Sequence, residues 1–574
     1  MGSSISKGRK YSPTKSVPRK NPYPLVGQGT FSCEDTPGQN SDYIEEVVCR
    51  ENEIEENGMK VVDVGGDDGG KVLLVKQKGK ISAIGTKCTH YGAPLVSGHL
   101  GDGRVRCQWH GACFNVTTGD IEDFPGLDSL PCYEVKISNG EVKVRAEKAL
   151  LKANKRVKSF ACTFRPNTST FVVVGGGPAG ANCVETLRQE GFEGRIIFVM
   201  AEKYLPYDRI KVSKSFDVDI EKITLRPADF YQQRNVELKL NTQLTDLDPW
   251  KKIATLSNGE KLNYDKIFLA TGSTPRKLCA SGSNLKNIFV LRTADDAKQI
   301  FQVLSDTSNV VILGTSFIGM EAAAYCANKA KSVCVIGRNV PFQASFGLEI
   351  GNRVKKLFEV KLDMSELIQF RYDNKVSFHL KETIEKFEGE NGILTAVELT
   401  NGSKLPCDIC IIGIGVTSNT QYLNNGSIKM GNDGTIEVNE FLQTDIPDVY
   451  AGGDIAKAPV LGQKASIGHW GLANYHGHIA AFNMLGKNKR LQTIPFFWTM
   501  LFGKSFRYTG YCPSFDDIVI DGSVDDFKFV AFHCSKGVVL AVTTIGRDPV
   551  AAKFAEMLYE GKQLQKCKIQ EWLS

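Results

Sequence analysis

No stretch of eighteen apolar residues occurs in the chain, so nothing in it is built to cross a bilayer as a helix. Histidine is scarce, at 8 in 574 residues. A mononuclear iron site needs two histidines and a carboxylate, and those outside the motif below offer no convincing set. No acid precedes Glu34, whereas Lys7, Arg9, Lys10, Lys15, Arg19 and Lys20 do. These account for the whole net charge of +6. The remainder is close to neutral, which excludes the broad basic face of a nucleic-acid-binding protein. Cysteine is not scarce, at 16, but the spacing is irregular and no secretory signal accompanies it. That argues against a disulfide scaffold and for a reducing compartment. Length and ordinary apolar content predict roughly three or four globular domains.

What the chain does have is Cys88-Thr89-His90 and, beyond a loop, Cys107-Gln108-Trp109-His110. Tyr91-Gly92-Ala93-Pro94-Leu95 follows the first pair and Gly111 the second, so each pair sits in a turn. Two thiolates can hold one iron and two imidazoles another, which raises the potential above that of an all-cysteine cluster. Zinc accepts the same ligand types. The stretch resembles the Rieske family in its ferredoxin and oxygenase form. Ala93 and Trp109 stand where the respiratory form has two further cysteines. The resemblance implies a [2Fe–2S] cluster, with Cys88 and Cys107 on the inner iron. His90 and His110 would hold the outer iron and mark the electron exit.

Two glycine turns follow. Phe171–Val174 reads as a buried strand and runs into Gly175-Gly176-Gly177-Pro178-Ala179-Gly180 and a helix. Gly175 makes the tight turn, Gly177 admits a pyrophosphate, and Gly180 lets helix and strand pack. A second strand, Arg195–Val199, ends before Glu202, where an acid bonds a ribose hydroxyl. The other turn runs from Val310 through Gly314-Thr315-Ser316-Phe317-Ile318-Gly319-Met320-Glu321. Its middle glycine is Ser316, and its second strand ends in Gly337-Arg338 without an acid. An Arg there favours the extra phosphate of NADP, or else the site is weakened; NAD against NADP stays open.

Ile267-Phe-Leu-Ala-Thr271-Gly272 and Val449-Tyr-Ala-Gly-Gly-Asp454 complete a pattern that resembles the two-dinucleotide FAD/NAD(P) oxidoreductases. No cysteine pair lies in Leu205–Lys214, so a dithiol is not the expected acceptor. Cys407 and Cys410 look like strand residues on opposite faces, with a structural role. Leu205-Pro-Tyr-Asp-Arg209 with Lys214, His469-Trp470 and Phe497-Trp498-Thr499 resemble the apoptosis-inducing-factor and ferredoxin-reductase group. That likeness places Arg209, Lys214, His469 and Trp498 near the flavin. The two prolines usual after the Arg are replaced by Ile210-Lys211.

Joined to a Rieske domain, the reductase pattern resembles the Rieske-containing branch of the apoptosis-inducing-factor family. The expected fold is two Rossmann-type α/β dinucleotide-binding domains, preceded by an all-β Rieske domain and followed by a small α+β C-terminal domain. The boundaries read as a disordered basic tail (1–42), Rieske domain (43–146), linker (147–168), FAD domain (169–295 and 419–492), NAD(P) domain (296–418) and C-terminal domain (493–574). The expected cofactors are FAD, a [2Fe–2S] cluster and NAD(P)H. The expected activity is electron transfer from NAD(P)H to an unknown acceptor. The alternative is a membrane-associated redox-sensing or signalling protein with little turnover. The resemblance implies a mitochondrial association and a pro-apoptotic role. Met1-Gly2-Ser-Ser-Ile-Ser6 also fits N-myristoylation at Gly2, and with the basic tail it would place the chain on the cytoplasmic face of a membrane. A transit peptide and an inert tail compete with that reading.

Overall fold

The computed structural model describes residues 42–574, apart from 67–68, 161–163, 166, 360–375 and 424–425. The basic tail and the Gly2 acylation pattern lie outside the described residues. Among the described residues no helix is long and apolar enough to cross a membrane.

The first part of the chain is antiparallel sheet. Six strands run in the order Tyr43–Arg50, Glu141–Glu147, Cys132–Ser138, Lys80–Gly85, Gly70–Gln77, Gly58–Val64. Val72-Leu73-Leu74-Val75, read as an alternating run, is buried at all four positions. The reason is that both faces of the sheet are covered. Leu73 and Val75 join the core beneath the cluster loops, while Val72 and Leu74 join a second core with Val142 and Val144. A smaller sheet of four strands (His99–Gly101, Arg104–Arg106, Cys113–Asn115, Ile121–Asp123) carries the second ligand pair in one of its turns.

Two parallel sheets follow. One orders its strands Val236–Lys239, Arg195–Val199, Thr170–Val174, Lys266–Leu269, Val449–Ala451. The other orders them Val376–Leu380, Ser332–Gly337, Asn309–Leu313, Ile409–Ile412, Ile288–Val290. Their central strands, Thr170–Val174 and Asn309–Leu313, are nearly continuous apolar runs because both faces are covered, whereas the edge strands Val236–Lys239 and Val376–Leu380 carry polar residues. The Cys407 and Cys410 expectation needs correcting here. The strand begins only at Ile409, so Cys407 precedes it, and the two thiols lie within hydrogen-bonding reach of each other in one buried cluster. Neither lines the large cavity described below.

The chain ends in antiparallel sheet, ordered Phe496–Leu501, Lys504–Gly510, Val538–Ile545, Lys528–Ser535, Asp517–Ser523, with the helix Val550–Tyr559 packed beside it. This helix holds the first part of the chain in place. Its Glu556 accepts from Arg106 Nε at 2.5 Å, across 450 residues of sequence. Asp123 accepts from both Arg104 (3.1 Å) and Arg106 (2.6 Å), so each buried guanidinium has carboxylate partners. On the other flank Arg226 is gripped by Asp128 (2.6 Å) and Glu185 (2.9 Å). Buried charges persist only when paired in this way, and removing one partner typically costs about 3–5 kcal/mol.

Candidate active site

The two ligand turns have the same hydrogen-bond frame. The Cys88 amide donates to Ala93 O and the Gly92 amide to Cys88 O; the Cys107 amide donates to Ala112 O and the Gly111 amide to Cys107 O. Gly92 (φ 80°) and Gly111 (φ 73°) close the turns in the left-handed region. Each turn folds amides toward its sulfur, from His90 and Tyr91 onto Cys88 and from Trp109 and His110 onto Cys107. The Cys88 thiol also bonds to Cys107, which raises Cys88 and lowers Cys107. Burial pulls His90 down to about 3 and His110 to about 2, so both imidazoles are neutral and carry free lone pairs.

These residues fit a [2Fe–2S] cluster. The two Nδ1 atoms face each other 3.2 Å apart. A tetrahedral metal with nitrogen bonds of about 2.0–2.1 Å spaces two ligands by about 3.3–3.4 Å. Among the described residues no group of three or more His, Cys, Asp and Glu is placed to hold a metal ion. The four ligands form two pairs instead, one of sulfur and one of nitrogen. Each pair would hold one iron of such a cluster.

A cavity of about 850 Å³ opens between the two parallel sheets and the C-terminal sheet. Gly175, Gly177, Glu202, Arg209, Lys214, Thr271, Gly272, Glu321, Asp454, His469 and Trp498 all line it. Gly180 does not; a Cβ there would stand 2.0 Å from Gly175 O, so its part is helix–strand packing. Gly314 and Gly319 also stay outside the lining and pack the second turn in the same way, while Ser316 and Phe317 reach the cavity. At Gly177 a Cβ would meet nothing within 4 Å. The space beside this amide and the N-terminus of the helix Pro178–Gln189 fits a pyrophosphate.

The charged lining is paired. Glu202 bonds Arg209 and accepts from Tyr207 Oη at 2.7 Å. Burial opposes the charge on Arg209, but Glu202, Tyr207 and Asp454 together favour it. Asp454 accepts from Ser273 Oγ and Arg292 Nη2, both at 2.7 Å. Burial pushes this carboxyl up, but Arg292, Ser273 and Arg209 together hold it below the ordinary range. Glu321 accepts from Lys214 Nζ (3.0 Å), Thr499 Oγ1 (2.7 Å) and Ser213 Oγ (2.5 Å). Burial pulls His469 down to about 4, so it is neutral.

The cluster loops and the cavity meet at Trp498. Its ring lies 4.6 Å from His110 and 5.7 Å from His90, centroid to centroid, and 5.4 Å from His469 on the cavity side. Tyr91 stacks on His90 at 3.9 Å and donates to Asp208 at 2.7 Å. Trp470 Nε1 donates to Pro125 O, and Arg507 Nε to Trp109 O. His90 and His110, expected to mark the electron exit, stand against Trp498 and keep only partial exposure. Nε2 of His90 is buried without a partner. The physical reason is that the reductase surface packs against these rings.

The Rieske [2Fe-2S] domain family matches residues 45–134, and the pyridine nucleotide-disulphide oxidoreductase family matches residues 169–477. Apoptosis-inducing factor 3 from Mus musculus and from Homo sapiens are each 40% identical over 538 residues, covering 92% of this chain and 86% of theirs. The chain belongs to the apoptosis-inducing factor 3 family of pyridine nucleotide-disulphide oxidoreductases. A ferredoxin reductase structure from Rhodopseudomonas palustris matches with TM-score 0.63 and 25% identity, over 70% of this chain and 97% of that one. The covalent putidaredoxin reductase–putidaredoxin complex matches with TM-score 0.62 and 27% identity, over 69% and 94%. As a member of the apoptosis-inducing factor 3 family, the chain is an NAD(P)H-dependent electron-transfer oxidoreductase that uses FAD and a [2Fe–2S] cluster.

Sequence reading missed Arg292. It follows a short strand in no motif, and only folding brings it to Asp454, 162 residues away. Tyr207, Asp208 and Thr499 stand inside quoted motifs, but nothing local marked them as partners of Glu202, Tyr91 and Glu321.

Proposed function

We propose that electrons from NAD(P)H pass through FAD to the [2Fe–2S] cluster and on to an acceptor. The observation that carries this reading is Trp498, whose ring stands against both ligand histidines while lining the cavity. Bound FAD exchanges a two-electron hydride for single electrons, and a bound cluster accepts them one at a time.

The chain's own groups bind and orient. Cys88 and Cys107 would hold one iron, His90 and His110 the other. Gly175 and Gly177 keep the pyrophosphate path open, and Glu202, Thr271, Gly272 and Asp454 would hold the rest of the nucleotide. Lys214, pinned by Glu321, keeps a cation in the cavity, where it would stabilise negative charge on a reduced ring system. Trp498 and Phe497 exclude water from the gap between cavity and histidines. Gly314 and Gly319 shape the second turn for the nicotinamide cofactor, and exposed Arg338 favours its phosphorylated form. The relatives that transfer electrons to ferredoxins support a protein acceptor. The same family likeness supports a mitochondrial association and a part in apoptosis, which localisation of the full-length chain tests.

The deciding experiment is anaerobic titration of cluster-loaded protein with NADH and with NADPH. Flavin bleaching is followed by absorbance and the reduced cluster by electron spin resonance. Both signals should develop with one cofactor. A bleached flavin beside an oxidised cluster removes the proposed route. No response to either cofactor favours the signalling alternative.

A further inference from the structure

The ligand histidines leave a question about the way out. Cys88 and Cys107 are buried, and Trp498 stands against both imidazole rings. The two ligand histidines are only partly exposed, so a partner at this end meets their neighbours as well as the rings themselves. Two neighbours of the ligand histidines do reach solvent: Tyr91, 39% exposed and stacked on His90, and Trp109, 37% exposed and 6.3 Å from His110. Val96, on the same first loop, is 39% exposed.

These positions belong to one rim. Gln108 Nε2 donates to Pro94 O at 3.2 Å, and Lys87 pairs with Pro94 across a β-bridge. Val96 is two residues from Pro94, and Trp109 adjoins Gln108. Cations mark the same place. Lys87 is exposed, and Lys211 lies 5.5 Å over the Tyr91 ring. The acid nearest Tyr91, Asp208, is buried and already accepts its hydroxyl. Exposed aromatics flanked by two lysines suit the docking of an acidic partner, with charge guiding encounter and aromatic contact holding it.

We propose that the rim formed by Trp109, Tyr91, Val96 and Lys87 is the docking surface for the electron acceptor, and that the acceptor is an acidic one-electron redox protein. One electron leaves the reduced cluster for the partner's redox centre; no bond forms and no proton or group is transferred. Histidine ligation raises the cluster's potential, so the partner's centre must lie higher than that of a low-potential plant-type ferredoxin. This inference rests on the proposed route through the cluster, and its test separates the two.

The test uses full-length, cofactor-loaded protein with cytochrome b5 as the acidic probe and cytochrome c as a basic one. Stopped-flow mixing with NAD(P)H measures cluster reduction; a second mix with oxidised cytochrome measures cluster reoxidation; sedimentation measures binding of the oxidised pair. In Trp109→Ala, Val96→Glu and Lys87→Glu, reoxidation by cytochrome b5 should slow at least tenfold and binding should weaken alongside. Cluster reduction should change less than twofold. Rising salt should reproduce the Lys87→Glu effect in the unaltered protein. If Trp109→Ala distorts the loops, the electron spin resonance spectrum reports it, and the two exposed-site variants carry the test. Reoxidation and binding within twofold of the unaltered protein in all three variants overturn the docking surface. Equal reaction with cytochrome c, unaffected by Lys87→Glu, overturns the acidic partner. If the unaltered cluster is never reduced by NAD(P)H, the route fails, and the binding measurement still decides the rim.

Discussion

The two glycine turns carry nearly the same backbone and differ at the positions that meet a ligand. Gly175 has φ 123° and Gly314 φ 125°. A Cβ would stand 2.0 Å from Ala270 O in the first and 2.2 Å from Gly413 O in the second. A Cβ at Gly180 would stand 2.0 Å from Gly175 O, and one at Gly319 would stand 2.2 Å from Gly314 O. Beyond this frame they part. Gly177 opens onto the cavity, whereas Ser316 puts an exposed side chain at the matching place, its Oγ 3.4 Å from Gly413 O. After the second strand the first unit has Glu202, held by Arg209 and Tyr207; the second has Gly337 and exposed Arg338. The frame is what strand and helix require of each other, and the ligand is chosen by what is added to it.

The largest expected effect falls on the shared frame. Gly175→Ala and Gly314→Ala force a side chain into a left-handed backbone and onto a carbonyl oxygen. Each should lower unfolding free energy by about 3 kcal/mol or more, measured by urea denaturation. A loss below about 1 kcal/mol at either one would break the equivalence of the turns. Next come the middle positions. Gly177→Ser meets open space, so stability should hold within about 0.5 kcal/mol while FAD affinity drops roughly tenfold, about 1.4 kcal/mol. Ser316→Gly should do the opposite to the second site and tighten nicotinamide cofactor binding several-fold. Calorimetric titration with each cofactor reads both changes, and unchanged affinities would show that the middle residue does not face a phosphate. The smallest effect is at Arg338. Arg338→Ala should leave NADH binding within twofold and weaken NADPH binding several-fold. Equal loss of both would make Arg338 a general anion contact instead of a selector.

Much of this was legible early because it is local. A left-handed turn between strand and helix admits glycine and little else, so both turns stand out in the amino-acid order. The four cluster ligands stand out for a similar reason, since two short turns must each present a sulfur and a nitrogen. At Cys407 and Cys410 only the strand boundary was misread, because Cys407 and Asp408 precede the strand; both thiols are buried and outside the cavity, as a structural role requires. The side chains that pair with the site came from far away. Arg292 reaches Asp454 across 162 residues, and Thr499 reaches Glu321 across 178.

By itself, then, the amino-acid order determined which cofactors the chain is equipped to hold, because ligand type and turn geometry are properties of a few neighbouring residues. Only the tertiary structure decided which way the cluster faces. That depends on Trp498, Asp208 and Glu556 meeting the first part of the chain across more than a hundred residues each. Contacts at such separations leave no period or spacing in the sequence. They exist because buried guanidinium groups such as Arg106 need a carboxylate partner once water is gone.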